Sequence, residues 1–547
     1  MSFVLNDTRR RDYLLPVRIL LSKGAVDEQQ LLSYHSEQSF FGGDRGCVLK
    51  AGGFLLLDFG RELSGGVKIV CNECSGNKNA QIRVRFGESA MESCAELNEK
   101  GCTNDHAIRD ERLTIPWVGS VEYGNTGFRF IRIDNLSDFE ISFRQVFALF
   151  IHCGRNYIGS FRCSDDLLNR VFDTAAYTVY LNMQDYIYDG VKRDRVVWIG
   201  DLHPETSSIQ RLFGDDIRIR KSLDLLKRNT PSDRWMNDIP TYSLWWIKIH
   251  RDYYYYTGDI DYLREQLDYL RELTRMVFSV VGADGRNRVD FKFIDWPSSQ
   301  DSKAQDAGVH ALLVTAIQSL CEIFSVCGEE RDKTLIHECR TKLETLWRYH
   351  PEHNGNKQSA SLLVFAGVED AEKINRELLS VNPTKGISTF LGYYVLLARG
   401  KSGDVTGALN LIREYWGAML HLGATTFWED FDLDWVKGAK TIDSLLKADE
   451  YDVHGDNGAY CYSGFRHSLC HGWASGPLPF LSEYVLGVSI LEPGCRKLRV
   501  CGELGDLDWA EGDFPTPFGV VHVRHERTDN GIVTRISAPD EVEIIRG

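Results

Sequence analysis

The order of apolar and polar positions divides the chain into three stretches. Up to about residue 155 the pattern is that of short strands. Segments 54–60 and 66–70 are apolar runs bounded by glycines, and 81–87 alternates polar with apolar residues, as a strand with one wet face does. Segments 126–134 and 141–150 repeat the pattern, and such strands separated by turn residues suggest a β-sandwich. From about residue 158 the period becomes helical. Ser164 stands as N-cap with acids behind it, and Leu167, Leu168, Val171, Phe172, Ala175 and Val179 fall on one helix face. Further helices are predicted near 216–229, 242–257, 260–281, 303–326, 330–348, 369–380, 387–399, 403–419 and 477–486. That is more than a bundle needs and suits a toroid of paired helices with its long loops at one end. After Pro493 and Gly494 strand signals return, at 520–524 and 531–536, and imply a second, smaller β-sandwich.

Composition narrows the class. A chain of 547 residues is too long for one core. Its 43% hydrophobic and 26% charged content is that of a globular protein, not a disordered one. A net charge of −15 argues against a nucleic-acid-binding face. No run approaches the twenty apolar residues that span a bilayer, so a membrane partner is not expected. Residues 1–11 lack the basic start, apolar stretch and cleavage site of a secretory leader. The fourteen cysteines follow no framework spacing and read as reduced thiols, which makes a cytoplasmic location the expectation. Cys71 and Cys74 form a CxxC followed by Cys94, Cys102 and His106, but the spacing lacks the second tight pair of a zinc knuckle, so no metal is expected.

Polar–aromatic clusters interrupt the helical period at 189–205, 234–246, 293–301, 423–432 and 466–477. The first is the densest, with Asp189, Asp194, Asp201 and Glu205 among Lys192, Arg193, Arg195, Trp198 and His203. Its glycines, Gly190 and Gly200, favour a loop running into a helix. Composition alone would make it a solvated loop with ordinary ion pairs. Carboxylates interleaved with arginine and tryptophan also suit a sugar, which has polar edges and an apolar face. Glycoside hydrolysis needs two carboxyl groups on opposite sides of the bond, and the first and fourth clusters each supply candidates. Trp245 and Trp246 read as core, Trp198 and Trp296 as sugar-stacking walls, and His203 as structural. His471 is balanced between pocket donor and core.

The chain resembles the α-L-rhamnosidases of glycoside hydrolase family 78. That family's pattern, Asp-x3-Arg-(Glu/Asp)-x3-Trp-x-Gly-Asp, is matched by Asp189, Arg193, Asp194, Trp198, Gly200 and Asp201. Its second pattern is matched by Gly423-Ala-Thr-Thr-Phe-Trp-Glu429. Segments 57–66, 127–133 and 468–477 are similar as well, so the resemblance runs through nearly the whole chain. It implies a multidomain α+β architecture: a central (α/α)6 barrel at 158–487 between β-sandwiches at 1–157 and 488–547. It implies an inverting exo-glycosidase, without cofactor, that removes terminal α-L-rhamnose from small glycosides or oligosaccharides. A homodimer is admitted, not required. By position Asp194 matches the general acid and Glu429 the general base. Asp189 and Asp201 match carboxylates on the sugar hydroxyls, and Arg193, Trp198, Trp296, His471 and Trp473 join the substrate-binding set.

One departure stands out. The acid position is commonly glutamate in that family, and Asp194 is shorter by one methylene. Asp189 and Glu205 are the alternative donors. An acid also needs a value high enough to stay protonated, which Arg193 and Arg195 oppose. Two other readings remain: a binding protein on the same fold that hydrolyses nothing, or a glycosidase for a related sugar.

Overall fold

The computed structural model describes residues 7–40, 44–447 and 449–547. Residues 1–6, on which the reading of the leader partly rests, lie outside the described residues. The fold is mixed, with a strand-rich N-terminal sheet and a helical core. Compactness divides the chain into two units. One comprises Met1–Gly154, Tyr180–Val196 and Met419–His471; the other comprises Arg155–Val179, Val197–Ala418 and Gly472–Gly547.

The first unit is built on an antiparallel seven-stranded sheet. Its order is Arg10–Leu14, Ile141–His152, Cys47–Cys74, Gly119–Asn135, Ala80–Gly87 and Asp110–Ile115, with Arg18–Val26 added to Cys47–Cys74. The segments 54–60 and 66–70, expected as two strands, belong to the single strand Cys47–Cys74, whose register shifts between Asp58 and Leu63 and again between Gly65 and Val67. The glycines mark close approach, not an end. A Cβ on Gly65, at φ 146°, would stand 2.0 Å from the Leu149 carbonyl, and one on Gly66 would stand 2.2 Å from that of Tyr123. Ile141–His152 is buried along its whole length. The same unit carries the loop 183–196 and the segments 423–432 and 458–471.

The second unit holds most of the helices. Those at Ile217–Asn229, Pro240–Thr257, Ile260–Ser279, Ser302–Cys327 and Lys333–Trp347 agree with their periodicity. Asp301 caps Ser302–Cys327 by accepting from the Lys303 and Ala304 backbone N–H groups at 3.0 and 3.1 Å. Two helices escaped the period, Leu202–Phe213 and Lys357–Phe365; nearly every residue in both is buried, and Leu202–Phe213 buries polar side chains such as Glu205, Ser208 and Gln210 that sequence reads as a wet face. The helix after residue 164 begins at Asp166, so the cap is Asp165 and not Ser164; Asp165 Oδ1 accepts from Leu167 and Leu168 N–H at 2.8 and 3.1 Å. Ser164 instead accepts from the Asp508 N–H at 2.9 Å. Ser302–Cys327 is long and apolar enough to cross a bilayer, contrary to the count of apolar runs, but 72% of its most apolar window is buried inside the protein. It reads as a core helix.

Two sheets close this unit. Val488–Glu492, Lys497–Val500 and Glu543–Arg546 form one, and Gly531–Ser537, Gly519–Thr528, Trp509–Thr516 and Ser160–Cys163 the other. The last strand precedes the described helices of this unit in sequence and pairs antiparallel with Trp509–Thr516, where a helical period was expected from about 158. Four residues are too few to show a period.

Candidate active site

In the first unit the loop 189–196 is held from within by Asp189. This carboxyl is buried and accepts from the Asp194 N–H at 2.8 Å and the Val196 N–H at 3.1 Å, one on each oxygen. Burial raises it to about 7, the neighbouring Asp194 adds to the rise, and the two N–H donors oppose it. Asp189 therefore shapes the loop that presents Arg193 and Asp194.

Lys192, also buried, anchors the loop from below. Its Nζ lies 3.0 Å from Glu88 and 3.2 Å from Glu92, and donates to the carbonyls of Phe465 and His467 at 2.8 and 2.6 Å. Burial works against its charge, but the two carboxylates outweigh it and the net shift is upward. Glu88, raised by burial to about 7, also accepts from the Leu469 N–H at 2.6 Å, tying the loop to segment 465–471. Gly190 and His471 form an isolated antiparallel bridge.

These anchors bring Arg193 to Glu429. The Arg193 Nη2 donates to Glu429 Oε1, and its Nη1 lies 3.4 Å from Asp194 Oδ1. Glu429 Oε2 accepts from the Ser468 N–H at 3.1 Å. Burial raises Glu429 to about 7, against the lowering by Arg193 and the Ser468 N–H. A carboxylate so placed is oriented by two donors and is a better base than an exposed glutamate. Asp194 is more open, with 20% of its side chain exposed, and its Oδ1 lies 3.2 Å from His106 Nε2. His471 is buried and neutral, its pKa held well below the ordinary value by burial. Its backbone N–H donates to the Phe427 carbonyl at 3.0 Å, across the segment that carries Glu429.

Among the described residues, Glu88, Glu92 and His454 form one buried group whose ligand atoms lie within 4.8 Å of one another. The protein's own bonds occupy it. Lys192 sits on both glutamates, His454 Nε2 donates to the His467 carbonyl at 2.9 Å, and His454 Nδ1 pairs with Ser89 Oγ at 2.8 Å. A metal ion there would meet an ammonium already in place. Cys71 and Cys74, buried at the end of the strand Cys47–Cys74, hold their thiols 3.4 Å apart.

The second unit carries Trp198, Asp201, Trp296 and Trp473. Trp198 packs edge-on to Tyr242 at 6.0 Å, and Asp201 is buried at the start of Leu202–Phe213. Glu205, in that helix's first turn, lies against Gly472, where a Cβ would meet its Oε1 at 1.5 Å. It is buried there and belongs to the other unit from Asp194. His203 is structural, stacked on Trp245 and bonded to Tyr394 at 2.8 Å and Asp252 at 3.2 Å. Trp296 is 37% exposed and edge-on to Phe293 at 5.2 Å. Trp473, in contrast, is buried and stacked flat on Phe390 at 5.0 Å.

Sequence reasoning missed Lys192, Ser468 and His106 as parts of the site. Ser468 acts through its backbone, which no side-chain pattern reveals. His106 was weighed only as a metal ligand, and Lys192 only as one of several loop cations.

Comparison with known proteins agrees with this chemistry. Residues 156–365 match the family model described as the bacterial α-L-rhamnosidase six-hairpin glycosidase domain. The matched stretch is thus similar to a glycosidase domain of the six-hairpin class. The likeness is to α-L-rhamnosidases, in line with the resemblance that the motifs carry. An α-L-rhamnosidase of Formosa agariphila is 25% identical over 183 residues, 32% of this chain and 18% of that protein. The fold is shared with the GH78 rhamnosidase of Bacillus sp. GL1, with a TM-score of 0.74 and 20% identity over 95% of this chain and 55% of that one. It is shared too with a Klebsiella oxytoca rhamnosidase solved with rhamnose bound, with a TM-score of 0.68 and 20% identity over 87% of this chain and 96% of that one. The chain spans about a fifth of the curated relative and about half of the Bacillus structure.

Proposed function

We propose that the protein is an inverting exo-glycosidase that hydrolyses terminal non-reducing α-L-rhamnosides by general acid and general base catalysis. The observation that carries this is the single guanidinium of Arg193 reaching both Asp194 and Glu429. Two hydrogen-bond lengths and the width of a guanidinium hold the two carboxyls within roughly 8 Å, a span that takes in both the roughly 6.5–9.5 Å of inverting enzymes at its upper end and the roughly 5 Å of retaining ones, so inversion rests on the family resemblance. Asp194, the more open of the pair, gives its proton to the glycosidic oxygen as the bond to the anomeric carbon breaks. Glu429, oriented by Arg193 and Ser468, takes a proton from the water that attacks the opposite face.

The six-hairpin match and the succession of helices support an (α/α)6 barrel at 158–487, with β-sandwiches at 1–157 and 488–547. Rhamnose as the sugar is supported by the family and by the rhamnose-bound Klebsiella relative. In this reading Asp189 serves the sugar with lone pairs left over from bracing the loop, His471 stands beside it, and Asp201, Trp198 and Trp296 are the second unit's candidates for sugar contact. The fourteen cysteines, which form no disulfide among the described residues, favour a reducing compartment and hence small, intracellular rhamnosides.

The deciding experiment is hydrolysis of an aryl α-L-rhamnoside followed by NMR. β-L-Rhamnose as the first sugar released is expected; α-L-rhamnose would overturn inversion. Asp194→Asn and Glu429→Gln should each lose about 10²–10⁴-fold in kcat. A wild type inactive on every rhamnoside and on related glycosides would favour a binding protein.

A further inference from the structure

Two peptide groups flank Ser468 in the first unit, and each is held at both ends. In the one between His467 and Ser468, the carbonyl accepts from Lys192 Nζ at 2.6 Å and His454 Nε2 at 2.9 Å. Its N–H donates to Glu429 Oε2 at 3.1 Å. In the one between Ser468 and Leu469, the N–H donates to Glu88 Oε2 at 2.6 Å. Its carbonyl accepts from the Glu429 backbone N–H at 2.9 Å. The C=O and N–H of a trans peptide point in opposite directions. Glu88 and Lys192, themselves 3.0 Å apart, therefore hold one end of both planes, and Glu429 meets the other end of both.

Glu88 is the fixed point of this arrangement. It directly follows the strand Ala80–Gly87, is fully buried, and donates its backbone N–H to Glu92 Oε2 at 2.7 Å, in the helix Ala90–Cys94. Its other oxygen, Oε1, lies 3.3 Å from the Ser468 hydroxyl, whose hydrogen is shared with the Cys470 carbonyl at 3.1 Å. The titratable groups facing Glu88 are Lys192, Glu92 and Glu62, with His454 beyond Glu92. Those facing Glu429 are Arg193, Asp194, Asp430, Asp189 and the Cys461 thiol.

We propose that Glu88 is a positioning residue for the general base, its carboxyl gripping the Ser468–Leu469 peptide so that the Ser468 N–H stays aimed at Glu429. This rests on the reading of Glu429 as general base. With Lys192 on the plane before Ser468 and Glu88 on the plane after it, neither plane turns about the Ser468 Cα. Without Glu88 the second plane is free to turn, and Glu429 loses one of the two donors that orient it. That donor also opposes the upward push of burial on Glu429.

Two substitutions of equal charge separate this role from a structural or an electrostatic one. Glu88→Gln keeps an oxygen for the Leu469 N–H and offers its amide NH2 to the Ser468 hydroxyl oxygen. Glu88→Met removes the same charge and offers no acceptor. Loss of the Glu88 charge lowers Glu429 in both variants, whereas loss of the Ser468 N–H raises it. The acid limb of kcat/KM on an aryl α-L-rhamnoside is expected about one pH unit higher in Glu88→Met than in Glu88→Gln, the scale of one hydrogen bond to a carboxylate. On that limb Glu88→Met is then about tenfold slower than Glu88→Gln. Coincident limbs, or a lower limb in Glu88→Met, would overturn the proposal, whatever either variant loses in melting temperature. If Glu88→Met does not fold, Glu88→Asp keeps the charge beside Lys192 and draws the acceptor back by one methylene. Its limb should rise above that of the wild type, and an unmoved limb overturns the proposal. The Glu429 carboxyl is followed in the same variants by 13C NMR, as the signal absent from Glu429→Gln. Full activity in Glu429→Gln would sink the reading of Glu429 as base, while the order of those carboxyl titrations still decides the role of Glu88.

Discussion

Arg193 pairs through Nη2 with the buried carboxylate of Glu429, 236 positions further along the chain. The pair meets opposing demands. Burial drives Glu429 towards its protonated form, and the guanidinium holds it back near a value at which a general base is useful.

Removing that guanidinium should therefore impair the base in a recognisable way. In Arg193→Met the value of Glu429 rises above about 7, so the acid limb of the kcat/KM profile moves to higher pH. Arg193→Lys keeps a charge but loses the fork that reaches two carboxyls, and a drop of about 10²-fold in kcat is expected, the scale of losing one oriented donor. Unchanged pH profiles in both variants would detach Arg193 from Glu429.

Glu429 should link activity and stability in opposite senses between pH 5 and 8. It sits at about 7 in the folded protein, raised chiefly by burial from 4.5. Between those values the native state holds a proton that the unfolded chain has released, so the contribution of Glu429 to stability falls as pH rises and is lost through 7. Buried histidines such as His250, His454, His467 and His471, lowered by burial from 6.5, contribute with the opposite sign. The Glu429 share is therefore read as the difference in melting temperature between wild type and Glu429→Gln, which should shift against the wild type as pH climbs from 5 to 8. Glu429 must be ionised to act, so kcat/KM of the wild type rises over the same window.

Lys192 should be the most costly single deletion in the loop. Lys192→Met leaves Glu88 and Glu92 facing each other without their cation and two carbonyls without their donor. Breaking a buried pair in this way costs about 3–5 kcal/mol. Equilibrium denaturation measures it, and Glu92→Gln in the same chain should return part of the loss.

The tryptophans should divide between binding and stability. Trp296 is partly exposed, so Trp296→Ala is expected to raise KM up to about tenfold, the worth of one aromatic contact, with little change in melting temperature. Trp473 is buried flat against Phe390, and Trp473→Ala should cost about 3–5 kcal/mol. Equal effects of the two substitutions on stability would contradict their burial.

Legibility in the sequence followed the kind of interaction involved. Helices with one wet face, such as Ile260–Ser279, announce themselves through their period. Leu202–Phe213 and Lys357–Phe365, buried almost all round, do not. A glycine reads as an end in sequence, whereas at Gly65 and Gly66 it permits neighbouring strands to approach without breaking the strand that contains it. The strand Ser160–Cys163 is legible only beside its distant partner Trp509–Thr516.

For the site, the sequence by itself determined the chemical inventory: the carboxyls Asp189, Asp194 and Glu429, the intervals between them, and the family those intervals resemble. Residue type and spacing suffice for that, because they are properties of the chain alone. Only the tertiary structure decided what each group does with its hydrogen bonds. It turned Asp189 inward to brace its own loop, set Lys192 beneath that loop, joined Arg193 to Glu429, and brought His106 to Asp194. Burial and proximity set the charge and direction of a carboxyl, and both come from segments far apart in sequence that meet only on folding.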